Sequence, residues 1–296
     1  MNDDDAGNEH DDHGGLAHDL ERLISTSNRR QALRLFAGAT LIPLIGCGSE
    51  DLAAIDGGGG GTGGSGSGGT GGSGSGGSGA DSGGATTCSN IPEETEGPYP
   101  GDGSGSNGAN ALALSGIVRS DIRSSIGTAS GTAVGVPITV KLTLVNTSGS
   151  CAPVAGYAVY VWHCDRDGLY SMYTLANQNY LRGVQETDSS GTVTFVSIFP
   201  ACYPGRWPHI HFEIYPSLAK ANAAGNKVRT SQLALPSGPC NTVFATTGYA
   251  QSLTNLAQIS LASDNVFSDG SSLQLATVTG SVAEGYVASL TVGIAG

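Results

Sequence analysis

The sequence predicts an all-β protein, a β-sandwich with long loops and one or two short helices. Short segments rich in Val, Ile, Thr and aromatic residues recur along the chain, and turns rich in Gly, Pro, Asp and Ser separate them. Charged residues make up only 13% of the chain, a composition that favours an extracytoplasmic β protein. Many short strands between turn signals indicate two packed sheets.

Residues 1–47 are predicted to form an export signal. The pair Arg29-Arg30 precedes an apolar run over 37–46 that is too short to span a bilayer as a helix. The arginine pair resembles a twin-arginine signal, and the run ends in a sequence that resembles a bacterial lipobox, in which Cys47 is lipidated. An ordinary secretory signal with a chance Cys is the alternative. We expect an exported, lipid-anchored protein of the cell envelope, on its periplasmic or extracellular face, that contacts the membrane only through Cys47.

Residues 48–86 are predicted to be a flexible tether. Gly, Ser and Thr dominate this stretch, and about thirty such residues form a coil that reaches roughly 30 Å. The folded domain is therefore assigned to residues 87–296, about 210 residues, which is enough for a sizeable core. The net charge of −12 argues against nucleic acid as a partner, because phosphate binding needs clustered Lys and Arg. The oligomeric state is left open.

The elements of this domain follow from local patterns. Prolines exclude helix from the entry segment 91–100, which we expect to be extended. Alternation of apolar and polar residues, or β-branched runs bounded by turn residues, predicts the strands. These are 136–145, 154–163, 191–199, 209–215, 230–235, 273–279 and 287–294, with short helices at 218–224 and 249–259.

The cysteines fit an exported protein. If Cys47 is lipidated, five others remain, so one stays unpaired. Cys151 and Cys164 lie at opposite ends of one predicted strand, about 40 Å apart if it is extended, and should not pair with each other. We expect a Cys202–Cys240 disulfide, and a second one from Cys88 to either Cys151 or Cys164. A zinc site built from cysteines is disfavoured because no C-x-x-C spacing occurs.

A His-x-His pair stands out in the predicted strand 209–215. Side chains alternate along a strand, so His209 and His211 point to the same face, roughly 7 Å apart along the chain, where two imidazoles can chelate one metal ion. The alternative is a half-buried strand whose histidines face solvent. Tyr203 and Arg206 lie just upstream, and their presence favours a metal site.

Two blocks of this sequence resemble the intradiol ring-cleavage dioxygenases, the catechol and protocatechuate type, and specifically their secreted single-domain branch. The blocks are Trp162…Gly168-Leu-Tyr170 and Leu181-Arg-Gly…Phe199-Pro-Ala-Cys-Tyr-Pro-Gly-Arg-Trp-Pro-His-Ile-His211. The similarity runs from about Cys88 to Gln232 and includes Thr95-Glu-Gly-Pro-Tyr99. It implies a catalytic intradiol dioxygenase-like β-sandwich over 87–296 with a non-haem Fe(III) cofactor. The implied ligands are Tyr170, Tyr203, His209 and His211.

The donor chemistry of these residues agrees with iron. Phenolate is a hard, anionic oxygen donor, so two phenolates favour Fe(III) over Fe(II), and imidazole suits iron as well. Zinc would more often recruit Cys or carboxylate beside His. Metal binding would also lower the pKa of each tyrosine far below its free value of about 10.

The resemblance also implies a reaction and its partners, a catecholic small molecule and O2. Both oxygen atoms would enter between the two hydroxyl-bearing carbons and give a cis,cis-muconate-type diacid. Tyr203 would leave the metal and accept a proton, and Arg206 would stabilise negative charge on the ring. Gln232 falls where the family has a Gln near the substrate. Catechol, protocatechuate, hydroxyquinol and larger lignin-derived diols all stay open as substrates.

Two other classes of function remain possible from the sequence. A non-catalytic β-sandwich binding module tethered to the envelope would contain no coloured iron site. A zinc hydrolase would need a carboxylate beside the His pair, and Glu213 shares their strand face. The segment 236–296 contains no recognisable catalytic feature and is predicted to supply closing strands.

Overall fold

The computed structural model describes residues 88–295 and has two β-sheets that share one hydrophobic core. The predicted β-sandwich with few short helices is therefore confirmed. The predicted export signal, lipobox and tether lie outside the described residues. Within 88–295, no helix is long and apolar enough to cross a membrane.

The first sheet has five strands in the described region. Its central strand, β1 (Pro137–Asn146), pairs antiparallel with β2 (Ala152–Pro153) and β5 (Thr192–Ile198), and parallel with β9 (Gly285–Ile294). An edge strand, β8 (Thr277–Ser281), pairs antiparallel with β9. The strand nearest the C-terminus thus closes the sheet beside the first long strand, as the closing strands predicted from the sequence require.

The second sheet is antiparallel and has the order β4-β3-β6-β7. These strands are β3 (Ala158–Trp162), β4 (Arg182–Glu186), β6 (His209–Tyr215) and β7 (Arg229–Ala234). The register places Arg182, Trp162, His211 and Gln232 in one row across the sheet. This row is the floor of the site described below.

The strand β6 is buried along its whole length because both of its faces are covered. Ile210, Phe212 and Ile214 join the core between the two sheets. His209 and His211 alternate with them and so lie on the outer face of the second sheet, where loops cover them. The outer face of β6 is therefore a buried polar surface and does not face solvent.

The helices are short and lie mostly after β7. Helices α1 (Ser237–Phe244) and α2 (Ala250–Leu256) are separated by one turn, and α2 confirms the helix predicted at 249–259. Sequence reasoning missed α1 because Gly and Pro open it. Its first-turn N–H groups have no intrahelical partner, so Pro239 is tolerated there.

The helix predicted at 218–224 is wrong. Two separate 3-10 turns, Leu218–Lys220 and Ala224–Asn226, occupy this stretch, and Ala223 between them is extended. The amides of Asn222 and Asn226 donate to backbone carbonyls nearby. Such local side-chain bonds compete with a continuous helix.

One disulfide is present among the described cysteines, and it joins Cys88 to Cys151 with Cα atoms 5.8 Å apart. This confirms one of the two partners expected for Cys88. The expected Cys202–Cys240 disulfide is wrong, since both residues are free and buried, as is Cys164. The thiol of Cys202 instead donates to the carbonyl of Arg206 at 3.4 Å.

We expect the Cys88–Cys151 cross-link to contribute about 4 kcal/mol to the free energy of unfolding, because it closes a long loop in the unfolded chain. Urea denaturation of Cys151→Ser should show this loss. A reductant should destabilise the wild type by a similar amount and leave the variant unchanged. A cross-linked peptide joining Cys202 to Cys240, found by mass spectrometry, would contradict the pairing.

Candidate metal centre

Four side chains that the sequence singled out as metal ligands meet on the outer face of the second sheet. His209 and His211 come from β6, Tyr170 from the loop between β3 and β4, and Tyr203 from the loop between β5 and β6. The Nε2 atoms of the two histidines are 3.0 Å apart. Each of these nitrogen atoms lies 3.3 Å from one tyrosine hydroxyl, and the two hydroxyls are 3.4 Å apart.

This ring of donor atoms has the size that a single metal ion requires. Donors bound to one first-row ion at about 2 Å lie roughly 3 Å from one another. Two imidazoles and two phenols are also a coherent set, since imidazole and phenolate both suit iron. The donors present therefore fit a non-haem iron ion.

The orientation of His209 is fixed by its other ring nitrogen. Nδ1 donates to the carbonyl of Trp207 at 2.5 Å, so Nδ1 carries the proton and the Nε2 lone pair points at the other donors. The ring of His211 stacks on Trp162 with centroids 4.8 Å apart and planes at 9°. Both imidazoles are thereby held with Nε2 directed toward one point.

Burial keeps all four donors free of charge before a cation binds. Burial, helped by the charge of Arg206, lowers the pKa of His209 to about 3, and burial beside His209 holds the pKa of His211 well below its usual value. Burial raises the pKa of Tyr203 to about 12 and that of Tyr170 well above its ordinary range. Neutral imidazoles can bind a metal directly, whereas the phenols must first release protons, which a bound cation promotes.

A tight turn places Tyr170 next to Tyr203. The carboxylate of Asp165 accepts the backbone N–H groups of Asp167 and Leu169. Gly168 within it has φ +84°, and a Cβ there would lie 3.2 Å from the Cβ of Tyr203. A residue with a side chain would therefore be strained and would push the two tyrosines apart.

The entry segment passes over the donors. The ring of Tyr99 lies 4.9 Å from that of Tyr170. Gly97 has φ +73°, and a Cβ there would lie 3.4 Å from Cε1 of His211. The chain between these residues thus forms a wall of the site directly against two of its donors.

Comparisons with known proteins agree on the family. Residues 119–220 match the family model described as Dioxygenase. The structure is similar to that of an intradiol ring-cleavage dioxygenase from Tetranychus urticae, with 27% identity and a TM-score of 0.54, over 70% of this chain and 95% of that chain. The chain has the fold of an intradiol ring-cleavage dioxygenase.

More distant structures are also similar to this chain. One is the dioxygenase domain of a dioxygenase carbohydrate-binding protein fusion from Streptomyces sp. SirexAA-E, with 23% identity and a TM-score of 0.44, over 70% of this chain and 99% of that one. Another is catechol 1,2-dioxygenase from Pseudomonas arvilla C-1, with 20% identity and a TM-score of 0.43, over 69% of this chain and 62% of that chain. None of the curated proteins compared matches the sequence.

Arg206 and Gln232, which the resemblance places near the substrate, lie side by side. Nη2 of Arg206 donates to Oε1 of Gln232 at 2.6 Å. Nε of Arg206 donates at 3.0 Å to Asp264, a residue that sequence reasoning missed. Asp264 brings the segment 236–296 to the site, although the sequence showed no recognisable catalytic feature there. Its surroundings, Ser263-Asp264-Asn265, resemble an ordinary turn and gave no signal.

A second arginine links the walls of the site. The buried guanidinium of Arg182 donates to the carbonyls of Tyr99 and Pro100 in the entry segment, at 3.0 and 2.7 Å. It also donates to the carbonyl of Ser171, next to Tyr170, at 2.9 Å. Arg182 therefore fixes the entry segment relative to the loop that carries Tyr170.

A zinc hydrolase would need a carboxylate bound beside the His pair, but Glu213 has other partners. Its carboxylate accepts from the hydroxyl of Tyr215 at 2.7 Å and from Lys227 at 2.8 Å. Lys227 also contacts Glu96 of the entry segment and Asp102, two residues after its end. No hydrogen bond within 88–295 joins a carboxylate to the imidazole of His209 or His211.

We expect Lys227→Met to lower the free energy of unfolding at pH 7 by about 3 kcal/mol, because it leaves buried carboxylates without a cation. Burial already raises the pKa of Glu213 to about 7, and losing the ammonium would raise it further. The deficit should therefore shrink as the pH falls toward about 5 and the carboxylates take up protons.

Urea denaturation at the two pH values measures this effect. Lys220→Met is the matched control, because Lys220 is exposed and lies outside the carboxylate cluster. An equal loss in both variants, or a deficit that grows on acidification, would show that Lys227 does not neutralise the cluster.

Proposed function

We propose that this chain is a non-haem Fe(III) intradiol dioxygenase. It inserts O2 between the two hydroxyl-bearing carbons of a catechol and yields a cis,cis-muconate-type diacid. The observation that carries the proposal is the ring of four donors, with neighbouring donor atoms 3.0 to 3.4 Å apart. The match to the dioxygenase family model and the similar fold support the same reaction class.

The surroundings of the donors favour iron over zinc. An alternative zinc ligand in the same buried cluster as Tyr170 is the thiol of Cys164, whose sulfur donates to the carbonyl of Ala201. Burial raises the pKa of this thiol, so it stays protonated and is a poor metal ligand. Glu213 is already bound by Lys227 and Tyr215. The available ligands are therefore Tyr170, Tyr203, His209 and His211, a set that suits Fe(III).

Bound ferric iron would supply Lewis acidity and accept electron density from a catecholate, which makes the ring reactive toward O2. The protein positions the ligands for it. His209 keeps Nε2 unprotonated through its bond to Trp207, and His211 is held against Trp162. Tyr170 is 3% exposed and is packed under Tyr99, so it is the fixed phenol of the pair.

Tyr203 is suited to take a proton from the substrate. It is only half-buried, so it is the more accessible of the two phenols. Burial raises its pKa to about 12 when no metal is bound, so a Tyr203 released from the metal would hold a proton firmly. The side chain can therefore act as a base for a catechol hydroxyl, which must lose its proton on binding.

Arg206 supplies positive charge that does not titrate. Its charge lowers the pKa of both tyrosines and of both histidines, although burial dominates at each of these groups. A cation that acts on all four donors would also stabilise negative charge on a ring held between them. Gln232, which accepts a bond from Arg206, keeps that cation in place.

We also propose that the protein is exported and lipid-anchored through Cys47. The Cys88–Cys151 disulfide supports this, because structural disulfides form in oxidising compartments. Mass analysis of the mature protein from its native host should find a lipidated Cys47 at the N-terminus, and Cys47→Ser should release the protein from membranes. A wild-type protein that retains residues before Cys47, without lipid, would contradict the anchor.

We expect the protein from iron-replete cells to be reddish because of tyrosinate-to-iron charge transfer. Catechol should shift the absorption band, and O2 should be consumed. Tyr170→Phe removes one donor and should lower iron affinity more than about a hundredfold, with loss of the colour. Metal analysis, visible spectra and an oxygen electrode measure these effects.

Tyr286→Phe is the control, because Tyr286 lies in the first sheet, away from the donors. It should keep the iron, the colour and the oxygen uptake. A colourless, iron-free wild-type protein would contradict the proposed function and would favour a binding module. An unchanged iron content in Tyr170→Phe would remove Tyr170 from the ligand set.

A further inference from the structure

The side chain of Asp264 is completely buried and paired with Arg206. Its Oδ2 lies 3.0 Å from Nε of Arg206, and its Oδ1 lies 3.5 Å from Nη2. Asp264 is 0% exposed and Arg206 is 3% exposed. A pair of charges this deeply buried is tolerated only when each neutralises the other and the remaining polar atoms are bonded.

The backbone fixes the direction of this carboxylate. Oδ1 of Asp264 accepts the N–H groups of Val266 and Phe267 in its own turn, at 2.8 and 3.1 Å. Oδ2 accepts the N–H of Trp207 at 2.7 Å. These bonds and Arg206 hold the pKa of Asp264 below its usual value although burial opposes this, so the carboxylate stays ionised.

The guanidinium of Arg206 is held by Asp264 and by Gln232. Oε1 of Gln232 accepts from Nη2 of Arg206, and Nε2 of Gln232 donates to the carbonyl of Thr95 in the entry segment at 3.0 Å. Gln232 also lies opposite His211 in the register of β6 and β7. The bonds to Asp264 and Gln232 use Nε and Nη2, and none of the hydrogen bonds in the described region uses Nη1.

Asp264 is also connected to the metal ligand His209 through one residue. The N–H of Trp207 donates to Asp264, and the carbonyl of Trp207 accepts the Nδ1 proton of His209. The turn that carries Asp264 therefore supports both the cation and the backbone that orients one imidazole. This support comes from a segment far along the chain from either group.

We propose that Asp264 is a positioning residue that fixes Arg206, so that the free Nη1 edge of its guanidinium faces the substrate. The inference rests on the proposed function, in which Arg206 stabilises negative charge on the catechol ring. An unrestrained arginine would have to be ordered during each turnover, whereas a pre-ordered one stabilises the transition state without that cost. Asp264 acts through Arg206 and need not touch the substrate.

The test is a double-mutant cycle with the iron-loaded protein, comparing wild type, Asp264→Asn, Arg206→Met and the double variant. Asp264→Asn should keep the charge-transfer band and lower kcat for catechol at least about tenfold, with KM changed less than about threefold. The same substitution in the Arg206→Met background should cause no further loss of kcat. Additive losses, or a wild-type kcat in Asp264→Asn, would overturn the proposal.

The same four variants are also compared without iron, by thermal denaturation. The thermal midpoint of the metal-free protein should fall by about 10 °C in Asp264→Asn, because the buried guanidinium loses its partner. The double variant should recover part of this loss, and purely additive shifts would contradict the pairing. Asp188→Asn is the matched control, because Asp188 also accepts backbone N–H groups in a turn but is exposed and has no arginine partner.

If Asp264→Asn does not fold, Asp264→Glu replaces it. The longer side chain keeps the charge but displaces the carboxylate, so kcat should still fall while the iron band remains. A wild-type kcat in Asp264→Glu would then overturn the proposal. Failure of the proposed function itself is distinguishable, because the wild-type protein would then lack iron and oxygen uptake.

Discussion

The structure depends on the crowding of two imidazoles and two phenols in a buried site on the outer face of a sheet. Without a cation, burial keeps both histidines neutral and both tyrosines protonated. Polar groups that are buried so closely need bonding partners. Under the proposed function, one metal ion would accept all four as ligands and satisfy them together.

Three basic side chains organise those loops, each in a different way. Arg182 binds backbone carbonyls on both sides of the site, Lys227 neutralises carboxylates of the entry segment and of β6, and Arg206 is paired with Asp264. Of the three, Arg206 is the one whose charge lowers the pKa of all four donors. The other two hold the walls against the donors, so the loops depend on buried charge as well as on apolar packing.

Local patterns predicted most of the strands and the shared face of His209 and His211, because alternation along β6 depends only on neighbouring residues. The meeting of Tyr170 with Tyr203 was predicted from the family resemblance, since neither tyrosine is distinctive alone. The disulfide error at Cys202 and the role of Asp264 depend on how distant parts of the chain meet, as in the bond from Arg206 to Asp264. The helix at 218–224 was predicted wrongly for a local reason, because the amides of Asn222 and Asn226 bond to nearby carbonyls.

The central claim is that this protein inserts both atoms of O2 between the hydroxyl-bearing carbons of a catechol. The most direct test is a turnover experiment under isotopically labelled dioxygen, with mass analysis of the ring-opened product. The structure and family predict a diacid that carries two labelled oxygen atoms, one in each new carboxyl group. An unlabelled product would contradict the claim. So would cleavage of a ring bond adjacent to the one between the two hydroxyl-bearing carbons, or an iron-loaded protein that consumes no oxygen with any catechol.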